Sequence, residues 1–427
     1  MKRLSLLIIA CAAFTPLAAA AEDVATLRQD VQRLAAVVQE LSATVQAQQR
    51  RLTLLEGEAG GQTPQLPIVP LPPGVIPSGG GANLSALNPE IGVVADIAGQ
   101  LSESSADGEG NDKLSVREIE LIFGHPIDPY SRFDVNVTFS DFEEAGLEEA
   151  YITHWGLPGE LVARLGRFRQ RVGKASGTHT ELLDTVDTPL VVTKYLGAEG
   201  LFRTGAEITG FLPAPWDAVT HEVTAGIMEG GVGEGGTLFG ETRRRPSYYA
   251  HLKNFWDVSD STNLEVGSTY LLGSKDADRR YEVHAFGVDT TFIHYVTPTN
   301  KLKWQNEMYF QSRKESLLVE TAEGTGEEIS AKLNKHPWGF YSLLDYRLSP
   351  RFGLGGRFDY VEPVDLDPRI RARDADTAWS GYATFYQSEF ARWRLQFKHT
   401  NFAAGGDDNS IFAQCTVAIG VHKHQLQ

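Results

Sequence analysis

Apolar and polar residues alternate in about sixteen short stretches between residues 88 and 422. In the clearest of them, residues 132–140, every second side chain is apolar and the others are polar. A period of two predicts strands with one apolar face. Since no helices are left over to cover these faces, they are expected to meet lipid around a closed barrel, which leaves no backbone group unpaired. The apolar face of this stretch comprises Phe133, Val135, Val137 and Phe139.

The connections between the predicted strands are alternately short, as at residues 126–129, and long, as at residues 173–200. This asymmetry is typical of bacterial outer-membrane barrels, and an even number of strands places both ends of the barrel beside the short turns. The sequence therefore predicts an all-β fold, a transmembrane antiparallel β-barrel of about sixteen strands. The strands are predicted near residues 89–101, 113–125, 130–141, 147–157, 160–172, 201–212, 218–229, 246–258, 261–273, 280–295, 300–313, 335–348, 351–361, 376–388, 390–400 and 409–421.

Three segments with other compositions precede the predicted barrel, which is assigned to residues 84–427. Residues 1–21 combine two basic residues, an apolar run and small residues, as in a secretory signal peptide. Residues 22–56 contain a heptad pattern with valine mostly at position a and leucine mostly at d, which predicts a coiled-coil oligomerisation segment. Residues 57–83 are rich in proline and glycine and are expected to form a semi-rigid linker.

Three alternatives stay open for the region before the barrel. The heptad segment is either a coiled coil or a single amphipathic helix that lies on another surface. Valine at a with leucine at d favours two strands, whereas a porin-like barrel favours three. Cys11 is either removed with the signal peptide, which is the default, or lipidated. With the signal removed, Cys415 is the single cysteine and no internal disulfide can form.

Composition and motifs narrow the function classes. The formal net charge of −16 argues against nucleic-acid binding. No G-x-S-x-G, H-E-x-x-H or P-loop motif occurs, so neither enzymatic activity nor a cofactor is expected. His422 and His424 lie at the end of the chain, where a histidine pair is typical of an exposed tail, and no metal site is predicted there.

A charged side chain that faces lipid at mid-bilayer costs about 2–4 kcal/mol, so charges repeated on one strand face indicate the lumen. Arg167, Arg169 and Arg171 fall at i, i+2 and i+4, which predicts a basic ladder on the pore wall; the alternative is that one of them reaches a membrane interface. Arg164 is grouped with them, although regular alternation would place it on the opposite face of the strand. A bulge at Gly166 could reverse the face on which Arg164 lies.

The same test applied to carboxylates predicts that the lumen is lined by both signs of charge. Each of these carboxylates, taken alone, is expected to be a solvated charge on the wall with no special role. Glu118, Glu120 and Asp134 are the candidates on the first predicted strands. The same pattern marks Glu207, Glu222, Glu265, Glu307 and Asp359.

The long connection at residues 173–200 contains more apolar residues than a solvated surface loop would. We expect it to fold inward, pack on the wall and narrow the pore, with Glu181, Asp184 and Asp187 facing the basic ladder. The alternative is a plug or a short helix packed on the rim.

Three short motifs carry a family resemblance: Leu-Asn-Pro-Glu-Ile at residues 87–91, Leu-Glu-Glu-Ala-Tyr at 147–151 and Leu-Gly-Arg-Phe-Arg at 165–169. On these motifs the chain resembles the superfamily of phosphate-selective and related Gram-negative porins, especially the trimeric kind with an N-terminal coiled coil. The resemblance implies a homotrimeric outer-membrane barrel. The chain departs from the family pattern in two ways. It does not end on an aromatic residue, so a less usual assembly signal is expected, and it lacks an extended lysine and arginine track, so phosphate specificity is not expected.

The sequence thus predicts an outer-membrane porin for passive diffusion of small hydrophilic solutes, anionic ones included, with its coiled coil in the periplasm. The expected partners are outer-membrane lipid, lipopolysaccharide, the small solutes, further copies in a homotrimer and, through the coiled coil, the cell wall. Three alternatives remain: a tether that links the outer membrane to the cell wall, a barrel enzyme such as a lipase, and a soluble two-sheet protein.

Overall fold

The computed structural model describes residues 89–103, 113–141, 145–213, 219–240, 245–319, 329–364 and 372–420. The predicted signal peptide, coiled coil and linker fall outside these ranges. The described residues form one antiparallel sheet of 17 strands. The strands are β1 Glu90–Ser102, β2 Lys113–Asp128, β3 Ser131–Phe139, β4 Gly146–His154, β5 Val162–Arg169, β6 Phe202–Leu212, β7 Val219–Met228, β8 Ser247–Ser259, β9 Thr262–Ser274, β10 Glu282–Tyr295, β11 Lys301–Val319, β12 Ile329–Lys335, β13 Trp338–Ser349, β14 Phe352–Val361, β15 Asp376–Ser388, β16 Ala391–Asn401 and β17 Asp407–Gly420.

The sheet closes because β1 pairs with β17 over its length, from Gly92 opposite Gly420 to Ser102 opposite Ser410. Strands β12 and β13 both pair with β11 and follow one another along its edge, so they occupy a single position in the wall. The barrel therefore has sixteen positions, and the prediction of an antiparallel barrel of about sixteen strands is confirmed. Each of the sixteen positions therefore has a paired neighbour on both sides.

The connections alternate as expected between tight turns and long loops, and the start of β1 and the end of β17 lie on the side of the tight turns. One predicted loop, residues 315–336, is mostly strand. Strand β11 continues to Val319 and pairs with β12 as a hairpin extension of the wall. In the sequence, the charged residues near the end of β11 resemble a loop. Hydrogen bonds between backbone groups nevertheless extend the hairpin, because they do not depend on the side chains.

The wall has polar side chains on its inner face and apolar side chains on its outer face, which is the reverse of a soluble protein. Along β16, Arg394 and Gln396 are 4% and 1% exposed, whereas the intervening Leu395 is 58% exposed. The register places alternate residues on opposite faces of the wall, so the polar set points into the barrel and the apolar set points outward. The same exposed apolar belt includes Ile97, Phe133, Leu165, Phe211, Phe286, Trp304, Leu344, Leu354, Trp379 and Ile411.

Helices are few in the described ranges. They are a 3-10 helix at Thr180–Leu182 and one α-helix, α1, at Leu190–Tyr195. No helix there is long and apolar enough to cross a membrane. Cys415 is a free thiol on β17.

Candidate functional site

The connection between β5 and β6 turns into the barrel instead of covering its rim. Its first residues bond to the inner wall: the Gly173 N–H donates to Thr269 Oγ1 at 3.3 Å, and the Ala175 N–H donates to Glu307 Oε2 at 2.9 Å. Gly173 has φ +60°, and a Cβ there would overlap the Glu307 carboxylate. A residue with a side chain is therefore disfavoured at this turn by both conformation and space. Residues 173–200 are called the inner segment below.

One side of the inner segment packs into an apolar cluster inside the barrel. Val191, Val192 and Leu196 on and after α1 are fully buried. Helix α1 contacts β13 and β14, and the Tyr195 hydroxyl donates to the Glu362 backbone oxygen at 2.8 Å. These buried side chains explain why a long loop in a polar lumen carries so many valines and leucines. The wall contributes Tyr249, Leu271, Val283, Ala285, Tyr309, Tyr341, Leu343, Val361 and Ala378 to this cluster.

Two acidic residues of the inner segment pair with cations on the wall. Asp184 accepts from Lys303 Nζ on β11 at 2.7 Å. Asp187 accepts from Arg357 Nη2 on β14 at 2.8 Å and from Lys398 Nζ on β16 at 2.7 Å. Sequence reasoning placed both opposite the basic ladder of β5, but their partners come from the other side of the barrel.

Arginines on the wall also hold the backbone of the inner segment. Arg394 Nη1 donates to the carbonyl oxygens of Leu183 and Thr185 at 2.8 and 3.1 Å, and Arg117 Nη1 donates to Val186 O at 2.6 Å. Arg392 donates to the backbone oxygen of Glu181. Sequence reasoning missed these wall cations. The signal was present in β16, where Arg392, Arg394, Gln396 and Lys398 alternate with apolar residues as the arginines of β5 do.

The four predicted arginines of the β5 region are placed in different surroundings. Arg164 and Arg171 both reach Glu207 on β6, at 2.6 and 3.3 Å. Arg169 is buried and pairs with Glu148 at 2.5 Å, while Arg167 lies over the Phe202 ring at 4.2 Å. Strand β5 ends at Arg169, so the spacing rule does not extend to Arg171. Arg169 also lies over the Phe202 ring, at 5.4 Å. The structure thus brings Arg167 and Arg169 to one ring, and Arg164 and Arg171 to one carboxylate.

The predicted acidic residues of the first strands line the interior. Asp134 is buried and pairs with Arg132 on the same strand at 2.8 Å. Glu120 is buried, Glu118 is half-buried, and Glu120 Oε1 lies 2.8 Å from His179 Nδ1 of the inner segment. Burial and the Arg169 charge lower the pKa of His179, but its hydrogen bonds to Glu120 and Glu149 prevail and raise that pKa well above its usual value.

Acid should loosen the inner segment only at low pH. Burial raises the pKa of Asp187, but Arg357 and Lys398 outweigh it and hold that pKa below its usual value; Lys303, with Arg392 and Arg394 nearby, does the same for Asp184. A carboxyl group whose pKa is lower in the folded state than in the unfolded state stabilises the fold at any pH above its pKa in the unfolded state, which is about 3.9 for Asp. This stabilisation is lost as the pH falls through the pKa of the folded state.

We therefore expect the docking of the inner segment to be steady from neutral pH to about pH 4 and to weaken below it. Hydrogen exchange of the Val186 amide, which donates to Gln396 at 2.7 Å, measures docking once corrected for the intrinsic exchange rate at each pH. Asp187→Asn should show fast exchange of this amide already at neutral pH. Loss of protection in the native chain between pH 7 and 5 would contradict the assignment.

Comparison with known proteins points to one class. The outer membrane channel DcaP of Acinetobacter baumannii superposes with a TM-score of 0.50 at 10% identity, over 78% of this chain and 96% of that one. An anion-selective porin from Comamonas acidovorans gives a TM-score of 0.52 at 7% identity, over 78% and 99%. The described residues thus have the fold of outer-membrane porins.

Sequence comparison is less specific. A protein of Aquifex aeolicus (strain VF5), described only as uncharacterized, is 27% identical over 341 residues, which cover 74% of this chain and 71% of that one. No family model matches the chain.

Proposed function

We propose that this protein is an outer-membrane porin through which small hydrophilic solutes diffuse passively, with passage restricted by the inner segment. The observation that carries the proposal is the reversal of side-chain polarity, with charged and amide groups buried inside the barrel and large apolar groups exposed outside. A barrel of this kind suits lipid around it and water within it. The inner segment, held by wall cations on β11, β14 and β16, then sets the width of the passage.

A cationic region of the inner wall favours anionic solutes within this proposal. Lys301 and Lys303 share the inward face of β11, and Asp345 lies opposite Lys303 on β13. Arg347 shares the face of Asp345, and the region also includes Arg392 and Arg394 on β16. These five cations are accompanied by two carboxylates, Asp184 and Asp345, so a positive charge remains. A part of the lumen with an excess of one sign of charge raises the local concentration of the opposite ion.

We further propose that the protein is not an enzyme. The Ser131 hydroxyl lies 2.9 Å from His154 Nδ1, whereas the serine of a catalytic triad bonds the other ring nitrogen, Nε2. Among the described residues no carboxylate is paired with His154. The same contact recurs between Thr262 and His294 at 2.9 Å and between Thr269 and His251 at 2.8 Å. In each pair the two residues are directly opposite on neighbouring strands. A repeated cross-strand pair is better explained by sheet stabilisation than by catalysis.

The oligomer is also a proposal. We infer a homotrimer with the heptad segment in the periplasm. The heptad pattern supports an oligomeric coiled coil, and the porin fold favours three copies although valine at a with leucine at d favours two. Cross-linking of the detergent-solubilised protein, with and without residues 22–56, distinguishes a trimer from a dimer. The tether alternative requires a barrel without transport, so a stable conductance would argue against it.

The test of the proposal is a planar bilayer recording of purified protein under a salt gradient. We expect a stable open conductance with anion preference. Lys301→Glu should shift the reversal potential toward cations, because Lys301 is half-buried on the inward face of β11 and forms no ion pair within the described residues.

The matched control is Arg351→Glu, which makes the same charge change in an exposed tight turn outside the lumen. Its reversal potential should equal that of the native chain. No conductance from folded, inserted protein would contradict the porin proposal. An unchanged reversal potential in Lys301→Glu would contradict the cationic region alone.

A further inference from the structure

A dense cluster of acidic residues surrounds one histidine where the tip of the inner segment meets the wall. Glu120 on β2 and His179 and Glu181 on the inner segment each place one ligand atom within 4.8 Å of the other two. Glu118, Glu120 and Glu148 form a second group that meets the same distance, so the two groups share Glu120. The first group is wholly buried. The cluster therefore joins the inner segment to the wall.

The internal pairing of this cluster is incomplete. Arg169 pairs with Glu148 Oε1 at 2.5 Å, and its backbone N–H donates to Glu149 Oε1 at 2.7 Å. Oε2 of Glu148 and Oε2 of Glu181 are nevertheless buried without a hydrogen-bond partner, on residues that are 4% and 2% exposed. A buried carboxylate oxygen without a partner is costly, so a ligand that supplies a partner would be favoured there.

The electrostatics lead to the same conclusion. Five carboxylates, from Glu118, Glu120, Glu148, Glu149 and Glu181, surround one arginine and one histidine. An excess of negative charge in a buried site is unfavourable unless protons or a bound cation neutralise it. A divalent cation would offset this excess and also supply the two unpaired oxygens with a partner.

We propose that Glu120, His179 and Glu181 bind a divalent transition-metal cation of the Zn²⁺ class, with Glu118 or Glu148 available as a fourth ligand. An imidazole nitrogen beside carboxylate oxygens suits Zn²⁺ and disfavours Ca²⁺, which takes oxygen ligands. Ligands bound to zinc at about 2.0–2.2 Å lie roughly 3–4 Å apart, so a small contraction of the present spacing is needed. Zinc binds neutral imidazole, so the ion would also displace a proton from His179 into solvent. The bound ion would fasten the 3-10 helix of the inner segment to β2.

The test is titration of the purified full-length protein with ZnCl₂ after treatment with a chelator. Calorimetry gives the affinity, and elemental analysis by mass spectrometry gives the number of ions per chain. The reference protein carries His422→Ala and His424→Ala, so that the histidine pair at the end of the chain cannot contribute. Heat-modifiable electrophoretic mobility shows that each variant is a folded barrel.

We expect one zinc ion per chain in the reference protein. Glu181→Gln and His179→Gln, made separately, should each weaken zinc binding at least tenfold, because each removes one ligand. Glu199→Gln, in the same segment but largely exposed and paired with Arg169, should leave zinc binding unchanged. Ca²⁺ should bind at least tenfold more weakly than Zn²⁺ to the reference protein.

Three results would overturn the proposal. One is the absence of saturable zinc binding by folded reference protein, which would mean that protons alone neutralise the cluster. Another is equal zinc affinity in the reference protein, Glu181→Gln and His179→Gln. The third is Ca²⁺ binding as tight as Zn²⁺ binding together with no effect of His179→Gln, which would exclude the transition-metal class. None of these readouts depends on conductance, so the porin proposal is tested separately.

Discussion

Replacing Arg357 by leucine should release the inner segment from the wall while the barrel stays folded. Arg357 is completely buried on β14 and bonds Asp359 at 2.7 Å, the Asp187 carboxylate at 2.8 Å and the Asp187 backbone oxygen at 2.8 Å. Removing one partner of a buried ion pair costs about 3–5 kcal/mol because the other charge stays buried. Most of that cost is avoided if residues 173–200 leave the wall.

The expected readout is proteolysis within the inner segment. When opening and closing are fast, cleavage follows the population of the open form, so a loss of about 3 kcal/mol should raise the cleavage rate roughly a hundredfold. Single-channel recordings should show added gating noise for the same reason. The sixteen-position barrel should keep its heat-modifiable mobility, because its backbone pairing does not involve Arg357's side chain.

Arg347→Leu is the matched control for this variant. Arg347 lies on β13, the neighbouring strand, and stacks on the Tyr386 ring at 4.0 Å. Its hydrogen bonds go to the backbone oxygens of Ser349 and Pro350 in a tight turn, not to the inner segment. Equal cleavage of Arg357→Leu and Arg347→Leu would show that the segment does not depend on the buried pair.

The barrel could be predicted from the sequence because one physical rule acts on every strand. Each wall residue faces either lipid or the interior, so the period of two survives from β1 to β17. The exception was β11 and β12, where the hairpin extends beyond the alternating region and charged residues resemble a loop. The pairing of these two strands depends on backbone hydrogen bonds, and the amino-acid composition of the segment does not predict it.

The arrangement inside the barrel was predicted less well, and β5 shows why. Counting by twos assumes a regular strand, but Gly166 has φ +138° and the strand ends at Arg169. The same count applied to β16, a regular strand, would have identified Arg392, Arg394 and Lys398. A second limit is distance along the chain: Asp187 pairs with Lys398, 211 residues away. The sequence shows that both are charged, but only the closed barrel brings them together.

Placing a charge in the apolar cluster should widen the passage. Val191 is fully buried on α1, and Val191→Asp would put a carboxylate among apolar side chains of β13 and β14. An unpaired buried carboxylate costs several kcal/mol or takes up a proton, and either outcome weakens docking. We expect α1 to leave the wall, with a higher single-channel conductance and a larger size limit in liposome-swelling assays with neutral sugars of increasing size.

Ala198→Asp is the control for this last variant, because it introduces the same group at an exposed position of the same segment. Its conductance and size limit should match those of the native chain. Proteolysis should separate the two variants as well, with fast cleavage only in Val191→Asp. If Val191→Asp is folded and inserted but keeps the native size limit, the inner segment does not define the narrowest part of the passage. The restriction would then lie with the polar wall itself, and the inner segment would serve only to fill the barrel.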